Sequence, residues 1–561
     1  MSRWRDIIIV LLLSCQTAIS LEKKTVLIET LNGPVLGSVE SALDPRFNQS
    51  IEYKAFYGIP FAQPPLGDLR FRPPQPVSNW TEPINATEQN YRICYQVGGI
   101  MSAVGAHEEE TDDCLQLTVY VPLISNSSSS SSMPVLLWIS GGGFLIGGSH
   151  WYGPDFLMIH EVILVVINYR VGPLGFLTLG TQDAPGNMGL LDQIAALQWV
   201  QDNIALFGGD PDRVTVAGES AGSFSTFYHL ASPKSKGLFK RIIGQSGLGG
   251  LAPGFHQFTP QEAIRYGHEA AIEVGCLQLF PEAILDCLKH ESDFWLSLVD
   301  FAIGVLSQPV VDGQITDDPY LPEYPEIVFQ SGNYDRSVDI LLGANYNEGL
   351  LITQAFIALP FLLPVAMDQW DTLGPLSLFM KKALQVTDED SLLAREILQH
   401  YTGRTPEEVT MDDLPKLTDM FTDAFFWFGN HRFIEMHRGH AEGTFYQYIN
   451  KHINDDFQFT WTGLKSLPGV CHADELCLIF SPILTNQNKE RSARDLQVSK
   501  FITTAWTNFM KTGDPGLGWQ SISSTDWMYM SIGEEPVMEV EEDYIQRMDY
   551  WKNILPRIPE Y

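Results

Sequence analysis

One serine in this sequence stands in a pattern that is typical of a catalytic nucleophile. Ser220 lies in the sequence Gly-Glu-Ser-Ala-Gly at residues 218–222, directly after the apolar residues 214–217. Residues 224–230 contain neither glycine nor proline and can form a helix. Glycines two positions before and after the serine permit a sharp turn between a strand and a helix. The pattern therefore predicts a serine held above a sheet, where the free N–H groups of a helix favour negative charge.

A run of glycines earlier in the chain could stabilise negative charge on a carbonyl oxygen. Gly141, Gly142 and Gly143 follow the apolar residues 135–139. Consecutive glycines let the backbone approach a substrate closely, and their N–H groups can donate to the oxygen of a tetrahedral intermediate. We expect Gly142, Gly143 and Ala221 to supply these donors. Without the serine pattern, the same glycines would indicate only a flexible turn.

Two residues downstream are candidates for the acid and the base of such a site. A serine hydroxyl is a weak nucleophile, so a histidine must accept its proton and a carboxylate must orient that histidine. In α/β enzymes with this serine pattern, the order along the chain is serine, acid, histidine. Glu348 follows a predicted strand at residues 339–343, and His472 lies in a loop before a helical stretch. Because the chain has 13 histidines and many loop carboxylates, spacing alone assigns neither residue.

The elements that must position these residues form a recurring pattern along the chain. Short apolar stretches of strand length are followed by longer helical patterns at residues 135–139, 162–167, 214–217 and 340–342, and residues 444–449 add another candidate strand. Strands that are apolar on both faces are typical of a parallel sheet covered by helices. We find no internal repeat and no strong linker. The sequence therefore predicts a single α/β domain with a large, mostly parallel central sheet flanked by helices.

Composition and charge exclude several classes of protein. The chain has 561 residues, of which 45% are apolar, so it can bury a large core and is neither disordered nor fibrous. Its 35 basic and 68 acidic residues give a formal net charge of -33. That charge repels phosphate backbones at long range, so we expect no nucleic-acid partner.

The first residues have the pattern of a secretory signal. Arg3 and Arg5 precede the apolar residues 7–13, and small residues at positions 18 and 20 form a cleavage site. We therefore expect residues 1–20 to be a signal peptide and residues 21–561 to form the mature domain. No later apolar run has the roughly 20 residues needed for a transmembrane anchor. The expected product is secreted and extracellular, with four possible glycosylation sites at Asn48, Asn79, Asn85 and Asn126.

The cysteines fit an oxidising compartment. The chain has seven, and Cys15 lies within the predicted signal, which leaves an even number in the mature protein. Two pairs could close loops of modest length, and the spacing of the last two leaves their bonding open; the six residues are Cys94 with Cys114, Cys276 with Cys287, and Cys471 with Cys477. No recurring zinc-ligand spacing is present, so we expect no metal site.

Several ordered motifs together resemble the type-B carboxylesterase family, the carboxylesterase and cholinesterase branch of the α/β-hydrolase fold. The match spans nearly all of the expected mature chain. It comprises FYGIPFAQPP at 56–65, LRF at 69–71, DCL at 113–115, GGGF at 141–144, NYR at 168–170, GNMGLLDQ at 186–193, FGGDP at 207–211, the serine motif, Trp506 and GDP at 513–515.

The resemblance implies roles for individual residues. The implied catalytic triad is Ser220, Glu348 and His472, and the implied oxyanion donors are the N–H groups of Gly142, Gly143 and Ala221. It further implies disulfides between Cys94 and Cys114 and between Cys276 and Cys287, and buried ion pairs of Arg70 with Asp112 and of Arg170 with Asp192.

Departures from the family pattern bear on the substrate. Ser140 replaces a histidine or larger residue before the glycines, so the outer wall of that loop differs while its backbone donors remain. The segment between Cys94 and Cys114 lacks the tryptophan that stacks on choline in cholinesterases, which disfavours choline esters. Glu219 stands where juvenile hormone esterases commonly carry glutamine, which weighs against that assignment.

The predicted function is that of a secreted serine carboxylic ester hydrolase. It would cleave apolar small-molecule esters through an acyl-enzyme, without a metal or organic cofactor. Aromatic residues near the motifs could line an apolar pocket or belong to the core; they are Phe144, Trp151, Phe224 and residues 425–428. The alternatives are a bile-salt-type lipase, a juvenile-hormone-esterase-like enzyme and, with less support, a non-catalytic adhesion protein of the same fold.

Overall fold

A computed structural model gives the architecture of the chain. It describes residues 23–96, 109–123, 132–255, 257–293, 295–298, 308–379, 386–455, 458–460, 462, 464, 467–481, 491–522, 527–540 and 542–558. The expected signal peptide and the possible glycosylation site Asn126 therefore lie outside the described residues.

The strands that the structure describes mostly belong to one large sheet. Their bounds are β1 Thr25–Glu29, β2 Pro34–Asp44, β3 Gln49–Pro60, β4 Ile84–Asn85, β5 Arg92–Ile93, β6 Glu109–Glu110, β7 Gln116–Pro122, β8 Met133–Ile139, β9 Ile163–Ile167, β10 Thr178–Thr181, β11 Ala184–Pro185, β12 Gly209–Glu219, β13 Arg241–Gln245, β14 Asp339–Asn345, β15 Phe445–Asn450, β16 Tyr529–Ile532 and β17 Val537–Glu539.

The large sheet has a parallel centre and antiparallel edges. Its strand order is β1-β2-β3-β7-β9-β8-β12-β13-β14-β15-β16-β17, with β4 paired to β2. The strands from β9 to β16 in this order run parallel to one another. The outer pairs, from β1 to β9 and from β16 to β17, are antiparallel. The predicted large, mostly parallel sheet is confirmed.

Helices cover both faces of this sheet. Their bounds are α1 Asp155–Met158, α2 Gly172–Phe176, α3 Met188–Asn203, α4 Ala221–Ala231, α5 Pro260–Glu273, α6 Pro281–Leu288, α7 Pro325–Ser331, α8 Leu350–Ala358, α9 Leu362–Asp368, α10 Trp370–Phe379, α11 Asp388–Thr402, α12 Leu414–Thr422, α13 Phe428–His437, α14 Leu476–Ile479, α15 Ala493–Thr512 and α16 Glu542–Ile554, with a π-helical turn at Asp423–Trp427. Short 3-10 turns occur at Gly67–Leu69, Ser149–Trp151, Ile204–Phe207, Pro233–Ser235, Pro253–Phe255, Pro406–Glu408, Met411–Asp413 and Leu555–Arg557.

The central strands form because their side chains are buried on both faces. Every residue of β9 and β13 is buried, and in β8 and β14 only the first residue is not. Alternate side chains of one strand pack into two different clusters: Leu137 and Ile139 into one, and Leu136 and Trp138 into the other. This burial on both faces explains why the sequences of these strands are continuously apolar and do not alternate between apolar and polar residues.

One pair of helices differs from the others in its apolar composition. No single described helix is both long and apolar enough to cross a bilayer. The adjacent helices α8 and α9 meet that criterion of length and composition only when taken together, and they bend by 117° at the break between them.

Candidate active site

The predicted nucleophile lies at the turn between β12 and α4. Ser220 has φ 57° and ψ -124°, a strained backbone conformation for a residue with a side chain. A Cβ atom on Gly222 would lie 2.1 Å from the carbonyl oxygen of Ile139, and one on Gly218 would lie 2.4 Å from the carbonyl carbon of Gly222. Both glycines are therefore required by close backbone approach. The backbone N–H of Ser220 donates to the carbonyl of Gln245 at 2.9 Å, which ties the turn to β13.

The candidate base and acid meet beside this turn. His472 Nδ1 lies 2.7 Å from Glu348 Oε2, although the two residues are 124 positions apart. The backbone N–H of Asn345, the last residue of β14, donates to Glu348 Oε1 at 2.7 Å. Glu348 is fully buried and His472 almost so, whereas Ser220 is partly exposed. The carboxylate is thus fixed by the backbone, and the imidazole is fixed by the carboxylate.

The other imidazole nitrogen points toward the serine turn. His472 Nε2 lies 3.0 Å from Glu219 Oε1, so this nitrogen faces a second carboxylate, that of the residue before Ser220. The Ser220 hydroxyl does not itself hydrogen-bond to His472 in this structure. A Cβ atom on Gly141 would lie 3.1 Å from Ser220 Cβ and 2.7 Å from Glu219 Oε2. The glycine loop, the serine and the histidine therefore converge on one place.

The candidate oxyanion donors are oriented by an unusual backbone. Gly142 and Gly143 have φ values of 110° and 65°, which only glycine adopts readily. Their loop closes on itself, because the N–H groups of Leu145 and Ile146 both donate to the carbonyl of Gly142. In the described part of the chain, no protein acceptor receives a hydrogen bond from the N–H groups of Gly142, Gly143 or Ala221. These donors are free to serve a substrate.

Comparison with known proteins identifies the family. The model of the carboxylesterase family matches residues 23–551. The chain belongs to the carboxylesterase family. A carboxylic ester hydrolase of Bombus ignitus is 31% identical, with 90% of each chain covered, and a juvenile hormone esterase of Tribolium castaneum is 33% identical, with 95% of each covered. Neuroligin-3 of Mus musculus is 28% identical over 90% of this chain and 66% of its own.

Electrostatics at His472 are dominated by burial and by two carboxylates. Burial lowers the pKa of the imidazole, but the charges of Glu219 and Glu348 raise it, and the net result is a pKa well above the ordinary value. The imidazolium that forms when His472 accepts a proton is therefore flanked by compensating negative charge. In this carboxylesterase, charge at the site favours the protonated base.

Three buried polar residues connect the members of this site and were given no role by the sequence analysis. Gln245 Nε2 donates to Glu475 Oε1 at 3.1 Å, and the Asn345 amide donates to Glu475 Oε2 and, at 2.8 Å, to the carbonyl of Cys471. Burial and then the charges of Glu219 and Glu348 raise the pKa of Glu475 to about 7. Only the positions of Gln245 and Asn345 could have indicated a role from the sequence, because both residues end parallel strands, where α/β sites assemble.

The aromatic residues near the motifs all belong to buried core clusters, and one of them also contacts the candidate base. The Phe426 ring lies 4.6 Å from the imidazole of His472, and both Phe426 and Phe224 border Gly247. Phe144 packs near Phe224, with 6.5 Å between ring centroids. Trp151 is buried in a different cluster, with Trp138 and Tyr152. Phe426 thus packs directly against the candidate base.

The cysteines form two disulfides, which agree with the pairs expected from the resemblance. Cys94 bonds to Cys114, and Cys276 bonds to Cys287. Cys471 and Cys477, whose bonding the sequence left open, are both free thiols in the structure. Burial raises the pKa of both thiols far above the usual range, so neither is a reactive thiolate.

The two expected ion pairs have different outcomes. Arg170 and Asp192 form a buried bidentate pair, with Nη2–Oδ1 and Nε–Oδ2 distances of 2.7 and 2.8 Å. Arg70 instead forms its ion pair with Asp293. Burial raises the pKa of Asp112, while the charges of Arg70 and Arg170 lower it. Asp112 therefore lies within the field of Arg70, while the contact at the guanidinium is made by Asp293.

Proposed function

We propose that this carboxylesterase is a secreted serine hydrolase that cleaves apolar esters through an acyl-enzyme. The proposal rests mainly on one observation: His472 Nδ1 lies 2.7 Å from the buried Glu348, while its Nε2 faces the serine turn. In the neutral imidazole, Glu348 holds the proton on Nδ1, which leaves the lone pair of Nε2 available to accept the serine proton.

Hydrolysis then proceeds in two steps. Ser220 Oγ attacks the ester carbonyl carbon as His472 Nε2 accepts the hydroxyl proton, and the alcohol leaves with that proton. Water, activated by the same nitrogen, then attacks the acyl-enzyme and releases the acid. The free N–H groups of Gly142, Gly143 and Ala221 stabilise the oxyanion in both steps, and one such donor contributes about 10²–10³ in rate.

The apolar preference and the secretion are parts of the same proposal. Phe426 and Phe224 support an apolar acyl or alcohol group, because they place aromatic surface next to the base and Gly247. Two disulfides and the exposed possible glycosylation sites Asn48, Asn79 and Asn85 support passage through the secretory route, with residues 1–20 as the signal.

Covalent labelling tests the nucleophile. An organophosphate should inactivate the protein with a stoichiometry of one, and mass analysis of the digest should find the label on Ser220. The Ser220→Ala protein is the control: it should take up no label and lose activity on a soluble ester by about 10³-fold or more, because the hydroxyl is removed and the rest of the site remains. Labelling of another residue, or full activity of Ser220→Ala, would contradict the proposed triad.

A lipase-type activity is the alternative that a structural feature favours, since the apolar helices α8 and α9 directly follow Glu348. The two activities differ in their response to substrate aggregation. Rates on a short-chain ester should rise smoothly through its solubility limit for an esterase, whereas a jump at that limit would support the lipase.

A further inference from the structure

The helix pair α8–α9 presents an uncharged surface on a strongly acidic protein. Residues 350–367 contain no charged side chain, while the whole chain has a formal net charge of -33. Two prolines, Pro360 and Pro364, interrupt the run and accompany the 117° bend. The segment therefore forms a bent apolar corner rather than a straight buried helix.

The outer side of this corner is exposed to solvent. The exposed fractions of Leu359, Phe361 and Val365 are 48%, 64% and 55%. Phe361, which precedes α9 with a helical backbone, and Val365 of α9 are four positions apart, so they lie one above the other on the same side. Single exposed apolar residues are ordinary, but adjacent ones on an uncharged segment indicate an interaction surface. We call Leu359, Pro360, Phe361, Pro364 and Val365 the apolar corner.

The inner side of the same helices is continuous with the candidate active site. Helix α8 begins two residues after Glu348. Gln354 of α8 accepts a hydrogen bond from Thr462 Oγ1 at 3.2 Å and contacts the Cys471 sulfur at 3.9 Å. Leu350 and Cys471 share one small buried cluster, against which Ile357 packs. An object that docks on the apolar corner would therefore lie at the end of α8, the helix that packs on the segment carrying His472.

The charges around the apolar corner indicate which kind of lipid surface can bind there. Asp368 ends α9, and the 3-10 turn that packs on α9 carries Glu407 and Glu408. Among the described residues of this rim, Arg395 pairs with Glu407 and with Asp371, and Arg404 pairs with Asp413, so both cations are already neutralised. An anionic membrane is repelled by this rim and by the net charge of the chain. A zwitterionic lipid surface carries no such penalty.

We propose that the apolar corner docks this carboxylesterase on a neutral phospholipid surface. Leu359, Phe361 and Val365 enter the boundary between head groups and acyl chains, where apolar side chains leave water without placing a charge in the lipid. Esters dissolved in the lipid then reach the site without crossing bulk water. Docking itself does not depend on catalysis; only this benefit for substrate delivery rests on the proposed function.

Flotation of the full secreted chain with phosphatidylcholine vesicles tests the docking. We expect the wild-type protein to float with the vesicles, and partial replacement of phosphatidylcholine by phosphatidylserine to weaken binding. The double variant Phe361→Asp/Val365→Asp should have an affinity for the vesicles that is lower by about tenfold or more, because it places two charges in the lipid-facing surface. Absence of wild-type binding, or stronger binding to anionic vesicles, would overturn the proposal.

A matched control separates this surface from general hydrophobicity. Leu279 and Phe280, before α6, are even more exposed, at 89% and 70%. The double variant Leu279→Asp/Phe280→Asp should bind vesicles as the wild type does, and an equal loss in both variants would overturn the assignment.

Light scattering in the absence of lipid tests a second occupant. Dissociation of a dimer by Phe361→Asp/Val365→Asp would show that a second copy, not lipid, covers the apolar corner.

Two activity measurements distinguish docking from folding and from catalysis. Hydrolysis of a water-soluble short-chain ester should be unchanged in both double variants, which shows that they fold. Hydrolysis of an apolar ester carried in the vesicles should fall about tenfold only in Phe361→Asp/Val365→Asp, in parallel with binding. A wild-type protein that floats but hydrolyses neither ester would leave the docking in place and refute the proposed function.

Discussion

At the scale of single residues, the contact between Glu219 and His472 bears on the pH dependence of the site. The carboxylates of Glu219 and Glu348 overcome the effect of burial and raise the pKa of His472. A base must be unprotonated to accept the serine proton, so activity falls as the pH drops below the pKa of His472. Removing one of the two charges lowers that pKa.

We therefore expect Glu219→Gln to move the acidic limb of the kcat/KM profile to lower pH by about one unit or more. Glu348→Gln is the matched comparison: it also removes a carboxylate, but it takes away the acceptor for Nδ1–H and should lower kcat by about 10⁴-fold. An acidic limb that stays in place or moves to higher pH in Glu219→Gln would show that this carboxylate does not control the base.

At the scale of elements, the closeness of β8, β12 and α4 determines whether the nucleophile can be presented at all. Gly222 lies on the first turn of α4, where a side chain would meet the backbone of β8 at 2.1 Å. A backbone atom cannot move aside as a flexible side chain can, so helix and strand would have to separate.

The substitution Gly222→Ala should lower the free energy of unfolding by about 3 kcal/mol and kcat/KM by about 10²-fold or more, because the serine is displaced. Urea unfolding and steady-state kinetics measure the two effects. Gly533→Ala is the control: no atom lies within 4 Å of its added Cβ, and its backbone is not left-handed. It should change stability by less than about 0.5 kcal/mol. Equal stability of both variants would refute the packing argument.

At the scale of the whole molecule, a buried ion pair joins helix α16 to the π-helical turn beside the candidate active site. Asp423 begins the π-helical turn that also carries Phe426, the residue packed on His472. Arg547 of α16 donates from Nε to Asp423 Oδ2 at 2.7 Å, and the Tyr401 hydroxyl donates to the same carboxylate. Burial raises the pKa of Asp423, and the charge of Arg547 lowers it.

Arg547→Met leaves the carboxylate of Asp423 buried without its cation and should lower the free energy of unfolding by about 3 kcal/mol at neutral pH. The deficit should shrink as the pH falls, because protonation of Asp423 removes the uncompensated charge. Arg557→Met, which breaks the exposed pair with Glu396, should cost less than about 1 kcal/mol. A deficit independent of pH would show that packing, not charge, explains the loss.

The sequence by itself determined the local structure around the chemistry. The apolar runs predicted β8, β9, β12, β14 and β15, and the glycines around Ser220 predicted the turn from strand to helix. Such patterns are informative because backbone sterics and two-sided burial act on neighbouring residues. The same reasoning named Glu348, which follows a predicted strand, and His472, which lies in a loop before a helical stretch, as candidates.

Only the tertiary structure decided which of these residues meet. Glu348 and His472 are brought within 2.7 Å of each other beside β14 and β15, which pair in parallel, a contact that no spacing in the sequence encodes. Likewise, Asp293 rather than Asp112 contacts Arg70. Glu475 accepts hydrogen bonds from Gln245 and Asn345, which come together because β13 and β14 are neighbours in the sheet. The physical reason is that local sequence fixes backbone conformation, whereas contacts between distant side chains depend on strand order and on the packing of the complete sheet.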